Sequence, residues 1–364
     1  MRGGEKCVEA LCEIFPHATL FALLHVPGSA SPLLEQMPIR TSFIQHLPWA
    51  REGYRHYLPL FPAAIRRLAL EEFDCVISSH HCVAKGVRTR PDALHICYCH
   101  TPMRYLWDAY DEYFAKGRAG FLTRAAMRSV RGYLRWWDVR TASNPRHYIA
   151  NSENVRSRIK RVYRRDADVI YPPVNTAFFS AERRRETFFL IVSALVPYKR
   201  IDLAIEACKR TGDRLVVVGE GTEARRLAAL GGRTTEFAGR LSDEEIRDLY
   251  ARCSAVLFPG EEDFGIVPVE AMASGTPVVA LARGGALETV HDTASLQTGI
   301  LFREQTVASL VGALQRLKTT SFDPRKLREF ALGFDRRVYQ TKMRDYVTLR
   351  WSEFRSGAPA NPKQ

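Results

Sequence analysis

Two carboxylates, Glu262 and Glu270, stand with seven residues between them in the stretch Phe258-Pro259-Gly260-Glu261-Glu262-Asp263-Phe264-Gly265-Ile266-Val267-Pro268-Val269-Glu270-Ala271-Met272-Ala273-Ser274-Gly275. The apolar run up to Phe258 reads as the end of a strand, the acidic stretch after it as a loop, and the segment from about Gly265 as a helix. Pro268 fits a first helical turn, where its missing N–H is not needed, and Gly275 suits a left-handed cap at the far end. A helix start here offers the backbone of Phe264, Gly265, Ile266 and Val267 to an anion, with about half a unit of positive charge behind it. Glu262, ahead of the helix, can accept hydrogen bonds from a neutral polyol. Glu270, roughly 1.5 Å further along the axis per residue, can reach a ribose hydroxyl pair. Taken alone, either acid reads as a solvated surface glutamate; together they describe an anion site flanked by two carboxylates that can accept from hydroxyl groups.

Such a site needs strands to carry it. Short apolar runs at residues 19–24, 74–78, 94–99, 147–150, 168–171, 188–193, 215–218, 255–258 and 277–280 alternate with segments of helical spacing such as 202–209 and 242–252. This predicts βαβ units and parallel sheets. Tyr171-Pro172-Pro173-Val174-Asn175 ends a strand in an extended hinge, and the pattern then restarts. The expected organisation is a Rossmann-like domain over residues 1–172, a second over 173–334, a long helix over 335–356 and a frayed tail over 357–364. Gly3-Gly4 leads straight into a helical stretch with no strand before it, so either the start lies upstream or the first sheet lacks its usual first strand.

The 364 residues carry 53 Lys and Arg against 40 Asp and Glu, a net charge of +13. Residues 1–180 hold 25 of the basic and 16 of the acidic residues, which invites an anionic partner: nucleic acid, lipid or a phosphorylated substrate. The best apolar run, 188–196, is about half of what a membrane span needs, and no signal peptide is visible. The eight cysteines are scattered without a Cys-x-x-Cys pair and read as reduced thiols of a cytoplasmic protein, with no metal site. Asp166-Ala167-Asp168 reads as a turn. Between residues 118 and 137, Leu122, Ala126, Val130, Leu134 and Trp137 share one helical face while Arg124, Arg128, Arg131 and Arg135 recur opposite. That stripe is either a solvated helix surface or a contact for an anionic membrane or a lipid-linked pyrophosphate.

The paired glutamates resemble the E-x7-E signature of the retaining glycosyltransferases of family 4, also called group 1, and the resemblance extends over nearly the whole chain. It implies an α/β GT-B architecture: two Rossmann-like domains facing a central cleft, with the C-terminal helix packing back on the N-terminal domain. It further implies that Glu262 contacts the donor sugar, Glu270 the ribose, and the backbone of Phe264, Gly265, Ile266 and Val267 the diphosphate. Val218-Gly219-Glu220-Gly221 matches the family's glycine-rich turn, making Gly219 a donor contact or a tight βα turn. Phe237-Ala238-Gly239-Arg240-Leu241 is similar to the segment lining the base pocket, so Arg240 and Leu241 are candidate base contacts. Gly284-Gly285 with Glu288 resembles a structural wall of the site. In Ser193-Ala194-Leu195-Val196-Pro197-Tyr198-Lys199-Arg200, Lys199 falls on the lysine that neutralises the leaving diphosphate. Ala194 stands where the family has arginine, so either Arg200 supplies a second charge or the site works with one. His100, in Cys99-His100-Thr101-Pro102, falls on a histidine beside the donor sugar, and Gly4 on the first glycine-rich loop.

His100-Thr101-Pro102-Met103-Arg104-Tyr105-Leu106-Trp107-Asp108 looks most like bacterial mannosyltransferases of O-antigen and exopolysaccharide synthesis. The resemblance therefore implies metal-independent, retaining transfer of a hexose, mannose from GDP-mannose, to a polyprenyl-diphosphate-linked or other membrane-associated glycan, with no cofactor beyond the nucleotide sugar. Three rivals stay open: a GT-B epimerase or phosphorylase, a catalytically impaired GT-B partner protein, and a basic nucleic-acid-binding protein, although no nucleic-acid module is recognised.

Overall fold

Among the described residues, the alternation of apolar runs and helical segments becomes twelve strands in three parallel sheets. The computed structural model describes residues 3–108, 121–179 and 185–357, and of residues 121–127 the backbone alone. The chain divides into two units, Met1–Pro173 with Tyr339–Gln364, and Val174–Val338.

In the first unit β1 (Leu20–Ala22) pairs with β2 (Ile39–Thr41) as a separate two-stranded sheet. Strands β3 (Cys75–His80), β4 (Leu94–Cys99), β5 (His147–Ala150) and β6 (Asp168–Val169) lie side by side in chain order. Every residue of β4 and β5 is buried, the continuous burial expected when helices cover both faces of a parallel sheet. Helix α1 (Gly3–Ile14), with no strand before it among the described residues, sets Cys7, Ala10 and Leu11 against Leu94, Ile96 and Tyr98. Helix α2 (Phe121–Arg140) brings Leu134 and Trp137 into a cluster with Phe61, Val87 and Leu106. Helix α3 (Glu153–Tyr163), capped by the Ser152 hydroxyl on the Val155 amide, sets Val155, Ile159 and Tyr163 against Cys97, Cys99 and Tyr148.

The second unit holds β7 (Phe188–Val192), β8 (Arg214–Val218), β9 (Thr235–Gly239), β10 (Ala255–Phe258), β11 (Val278–Leu281) and β12 (Gly299–Phe302). Their order in the sheet is β12-β11-β10-β7-β8-β9. Helices α4 (Ile201–Thr211) and α5 (Ile266–Ala273) follow β7 and β10. The long helix α6 (Arg336–Arg355) sends Tyr339, Met343 and Val347 into the first unit's core beside Tyr98, so the C-terminal helix packs on the N-terminal domain.

Strands β2, β9 and β12 were not expected. β2 and β9 are only partly buried, so neither alternation nor a long apolar run marks them, while β12 is largely buried but its apolar run, Ile300-Leu301-Phe302, is only three residues long. The expected strand at 168–171 stops at Val169, two residues short of the proline pair.

Candidate active site

Strand order in the second sheet reverses between β7 and β10, since β8 and β9 add on one side and β11 and β12 on the other. Open parallel sheets bind ligands at such a switch point, beyond the carboxyl ends of the strands. The loop after β7 carries Lys199 and the loop after β10 carries Glu262. Their side chains form an ion pair, and both are largely buried, 18% and 15% exposed. The Lys199 ammonium also lies 5.3 Å from the centre of the Tyr198 ring.

The two loops touch without intervening side chains. A Cβ on Gly260 would sit 2.8 Å from the Lys199 Cα, so glycine is what allows the contact. Gly219, at the end of β8, has φ +132, and a Cβ there would fall 1.9 Å from the Ser193 carbonyl oxygen. Gly219 thus has a structural reason of its own: it lets the β8 turn seat against the β7 loop. The Gly285 amide donates to the Glu262 carbonyl at 2.9 Å, so the glycine pair after β11 braces the acidic loop.

Helix α5 begins at Ile266, after Gly265 at φ +86, and no side chain caps it. Helical geometry leaves the amides of Gly265, Ile266 and Val267 without intrahelical acceptors, and Pro268 has none to offer. The Phe264 ring is buried against Phe334, with centroids 5.7 Å apart, so Phe264 can present only its backbone. Glu270, one turn further on, is 9% exposed, and one of its carboxylate oxygens accepts the Tyr250 hydroxyl at 3.1 Å. Complete burial, followed by the Glu270 charge and that bond, pushes the Tyr250 phenol well above its ordinary pKa, so it remains a donor that orients Glu270.

Arg200, like Lys199, is engaged within its own unit. It occupies a left-handed conformation, φ 51, and its guanidinium is bound to Asp202 at 3.2 and 3.3 Å and to Gln305 at 3.3 Å. Arg240 follows Gly239 beyond β9 and is exposed, and Leu241 beside it is half-buried.

In the first unit His100 follows the last residue of β4, at the carboxyl edge of its own sheet. Its Nε2 is 2.8 Å from the Ser79 hydroxyl, and its ring meets Tyr98 edge-on. A Cβ on Gly4 would lie 3.5 Å from that Nε2, so α1 and β4 bring these two candidates together. Burial, with His81 adding to it, depresses the His100 pKa to about 3, so its imidazole is neutral at physiological pH. Asp166 pairs with Lys160 at 2.7 Å, and Asp168 accepts from Tyr346 at 2.9 Å.

The arginine stripe is not a single solvated face. Arg131 Nη2 donates to the Leu106 carbonyl at 3.3 Å, and the Arg135 guanidinium lies 4.2 Å from the Trp107 ring centre. Arg128 is exposed, and the Arg124 side chain lies outside the described residues. What α2 turns outward instead is Arg128, Tyr133, Trp136, Val139 and Arg140. The reading from sequence also passed over a buried cluster of His80, Lys85, Trp107, Asp138 and Tyr163. Its only signal was a lone lysine and a lone aspartate, each set among apolar residues.

Comparison with known proteins agrees with this architecture. The family model described as Glycosyltransferase Family 4 matches residues 1–178, and the one described as Glycosyl transferases group 1 matches residues 175–332. The chain is 32% identical over 160 residues to the O-antigen chain mannosyltransferase RfbU of Salmonella typhimurium, covering 40% of this chain and 45% of that one. It is 26% identical over 263 residues to the human alpha-1,3/1,6-mannosyltransferase ALG2, covering 61% and 60%. The chain therefore spans about half the length of the curated relatives it matches. Among solved structures, Anabaena HepE in complex with UDP superposes with a TM-score of 0.66 at 18% identity, over 95% of this chain and 96% of that one. Carrying both family matches, one on each α/β unit, the chain belongs to the group 1, family 4 glycosyltransferases of GT-B fold.

Proposed function

We propose that the protein moves a hexose, mannose from GDP-mannose, onto a polyprenyl-diphosphate-linked or other membrane-associated glycan in polysaccharide synthesis, with retention at the anomeric carbon. The observation that carries this reading is the switch point of the second sheet, where Lys199, Glu262 and the uncapped start of α5 converge and Glu270 follows one turn behind. A donor diphosphate fits the amides of Ile266 and Val267 and the Lys199 ammonium. As the phosphate takes Lys199, Glu262 is released from its ion pair and becomes an acceptor for the sugar hydroxyls. Glu270, aimed by Tyr250, accepts from the ribose. His100, neutral, can donate to or accept from the sugar or the incoming acceptor hydroxyl. Transfer then needs no side-chain nucleophile: the acceptor hydroxyl attacks the face the diphosphate leaves, and a leaving phosphate oxygen takes its proton. The charge developing on that oxygen meets Lys199 and the helix start, the role a divalent cation would otherwise fill.

The mannosyl donor is supported by the names of the two relatives above, and the UDP in HepE makes a uridine donor the direct competitor. A thermal-shift and transfer screen of GDP-, UDP- and ADP-sugars decides between them, because a ligand that binds the native state raises the melting temperature by mass action. GDP-mannose is expected to give the largest shift and to be consumed in the presence of chelator. Selective stabilisation by a UDP-sugar would refute the donor, and activity abolished by chelation would refute metal independence.

No described helix is long and apolar enough to cross a membrane. Work on a lipid-linked acceptor in the cytoplasm instead calls for peripheral contact with the anionic inner leaflet. The outward face of α2 suits it: Trp136 and Tyr133 are 58% and 46% exposed and stacked, the Arg140 guanidinium lies 5.7 Å from the Trp136 ring centre, Arg128 two turns earlier is exposed, and Asp138, the acid nearby in sequence, is fully buried. Aromatic rings and arginines on one helix face are the composition of the membrane interface. The triple variant R128E/W136S/R140E should lose co-sedimentation with phosphatidylglycerol vesicles at low salt, and unchanged binding would remove this face from the account.

A further inference from the structure

The loop that His100 opens, residues 100–108, rests on polar groups that the proposed transfer does not use. Lys85 and Asp138 are both fully buried and form an ion pair at 2.9 Å. The Asp138 carboxylate also accepts the Tyr163 hydroxyl at 2.9 and 3.1 Å and the Trp107 indole N–H at 2.8 Å. Three donors from three separate elements thus converge on one side chain. The remaining Lys85 protons go to the Asp138 carbonyl at 2.6 Å and the Thr141 hydroxyl at 2.8 Å. His80 completes the set: its Nδ1 accepts the Lys85 amide at 3.3 Å, and its Nε2 lies 3.3 Å from the Tyr163 oxygen. Burial, followed by the Lys85 charge, holds the His80 pKa well below its ordinary value. The ring is therefore neutral, accepting at Nδ1 and donating at Nε2 to the Tyr163 oxygen, whose own proton goes to Asp138.

Taking both charges of such a pair out of water is costly, and an apolar replacement can be as stable. What a fully satisfied network adds is orientation. Here the oriented object is the loop, because further contacts grip it along its length. Arg158, also buried, donates to the Thr101 hydroxyl at 2.8 Å and pairs with Asp108 at 2.7 Å. Arg131 holds the Leu106 carbonyl, Arg135 covers the Trp107 ring, and the Tyr105 hydroxyl meets the Cys82 sulfur at 3.0 Å. Two arginines of the α2 stripe are thus spent on the loop.

We propose that Asp138, fixed by Lys85 and Tyr163 and acting through Trp107, is a positioning residue that sets the 100–108 loop so that His100 keeps the orientation used in sugar transfer. This rests on the transferase reading above. Trp107→Phe keeps a ring beneath Arg135 and removes only the indole N–H. In the full-length protein it should lower kcat about tenfold, the worth of one charge-assisted hydrogen bond. Affinity for the nucleoside diphosphate should not change, and amide exchange at residues 101–108 should quicken. Loss of activity only in proportion to the unfolded fraction, with unchanged exchange in the folded protein, would show a merely structural role and overturn the proposal. Should the wild-type chain transfer no sugar at all, the transferase reading fails by itself, and the exchange rates of W107F still decide: unchanged exchange overturns the positioning role, and selective loosening of 101–108 supports the hold on the loop.

Discussion

Replacing Lys199 by Met removes the ammonium and keeps most of the apolar stem. With Lys199 and Glu262 about one-sixth exposed, the surroundings are neither bulk water nor dry interior. At an effective dielectric near 20, unit charges about 4 Å apart interact by about 4 kcal/mol. Glu262 receives that interaction before the donor binds; during transfer the diphosphate competes for it, so only the difference between the two states speeds the reaction. Loss of one preorganised donor to a developing anion costs about 10²- to 10³-fold in kcat, which is the expected effect of K199M. The assay is the initial rate at saturating donor, with calorimetric affinity for the nucleoside diphosphate measured in parallel. The double variant K199M/E262Q separates a fastener from a working pair. If the two residues only hold the loops together, each single change already breaks the fastening and the double variant loses no more than either; if each serves transfer in its own right, the double variant is slower than both single ones. A folded K199M protein with kcat within roughly fivefold of wild type would refute the reasoning.

Three further outcomes are expected. Glu270→Gln should weaken nucleotide binding about tenfold while leaving transfer at saturating donor largely intact, because the ribose contact is the same in ground and transition states; a lower kcat with unchanged affinity would contradict it. Stability should fall with acid in a defined window, since His95, His100 and His147 have folded pKa values depressed by burial to about 4, 3 and 4. Below the unfolded value of about 6.5 the unfolded chain binds protons that the folded chain refuses, so their contribution is complete above that pH and is lost toward pH 3. Urea midpoints at pH 7 and 5 should differ, and His95→Asn should reduce the difference. Gly219→Ala should destabilise the second unit by about 2–4 kcal/mol, because the methyl group would meet the Ser193 oxygen at a left-handed φ; a wild-type melting curve would show that the loop can give.

The parts of the site legible in the sequence are those fixed by backbone chemistry. Gly260, Gly265 and Pro268 mark a strand-to-helix turn in any context, and the acids at 262 and 270 are placed by that turn. The division of the chain after Pro173 coincides with the pair Pro172-Pro173, where two prolines restrict φ whatever surrounds them. The partner of Arg200 was not legible: it bonds to Asp202, two residues on, and no spacing rule separates such a pair from a charge left for a ligand. The α2 stripe was misread because period alone shows which residues share a face and not what the face meets. Arg131 and Arg135 face the loop after β4, which comes from elsewhere in the chain. The buried Lys85–Asp138 pair spans 53 positions of sequence, and only the fold brings its members together.

In the proposed reaction the carboxyl-edge crevice of the second sheet grips a nucleotide sugar. This is tested most directly by a crystal structure of the protein with the nucleoside diphosphate sugar that stabilises it most. The diphosphate is expected on the amides of Ile266 and Val267 and on Lys199, the ribose on Glu270, and the hexose on a Glu262 released from its ion pair. A nucleotide bound elsewhere, with Lys199 and Glu262 still paired, would contradict this.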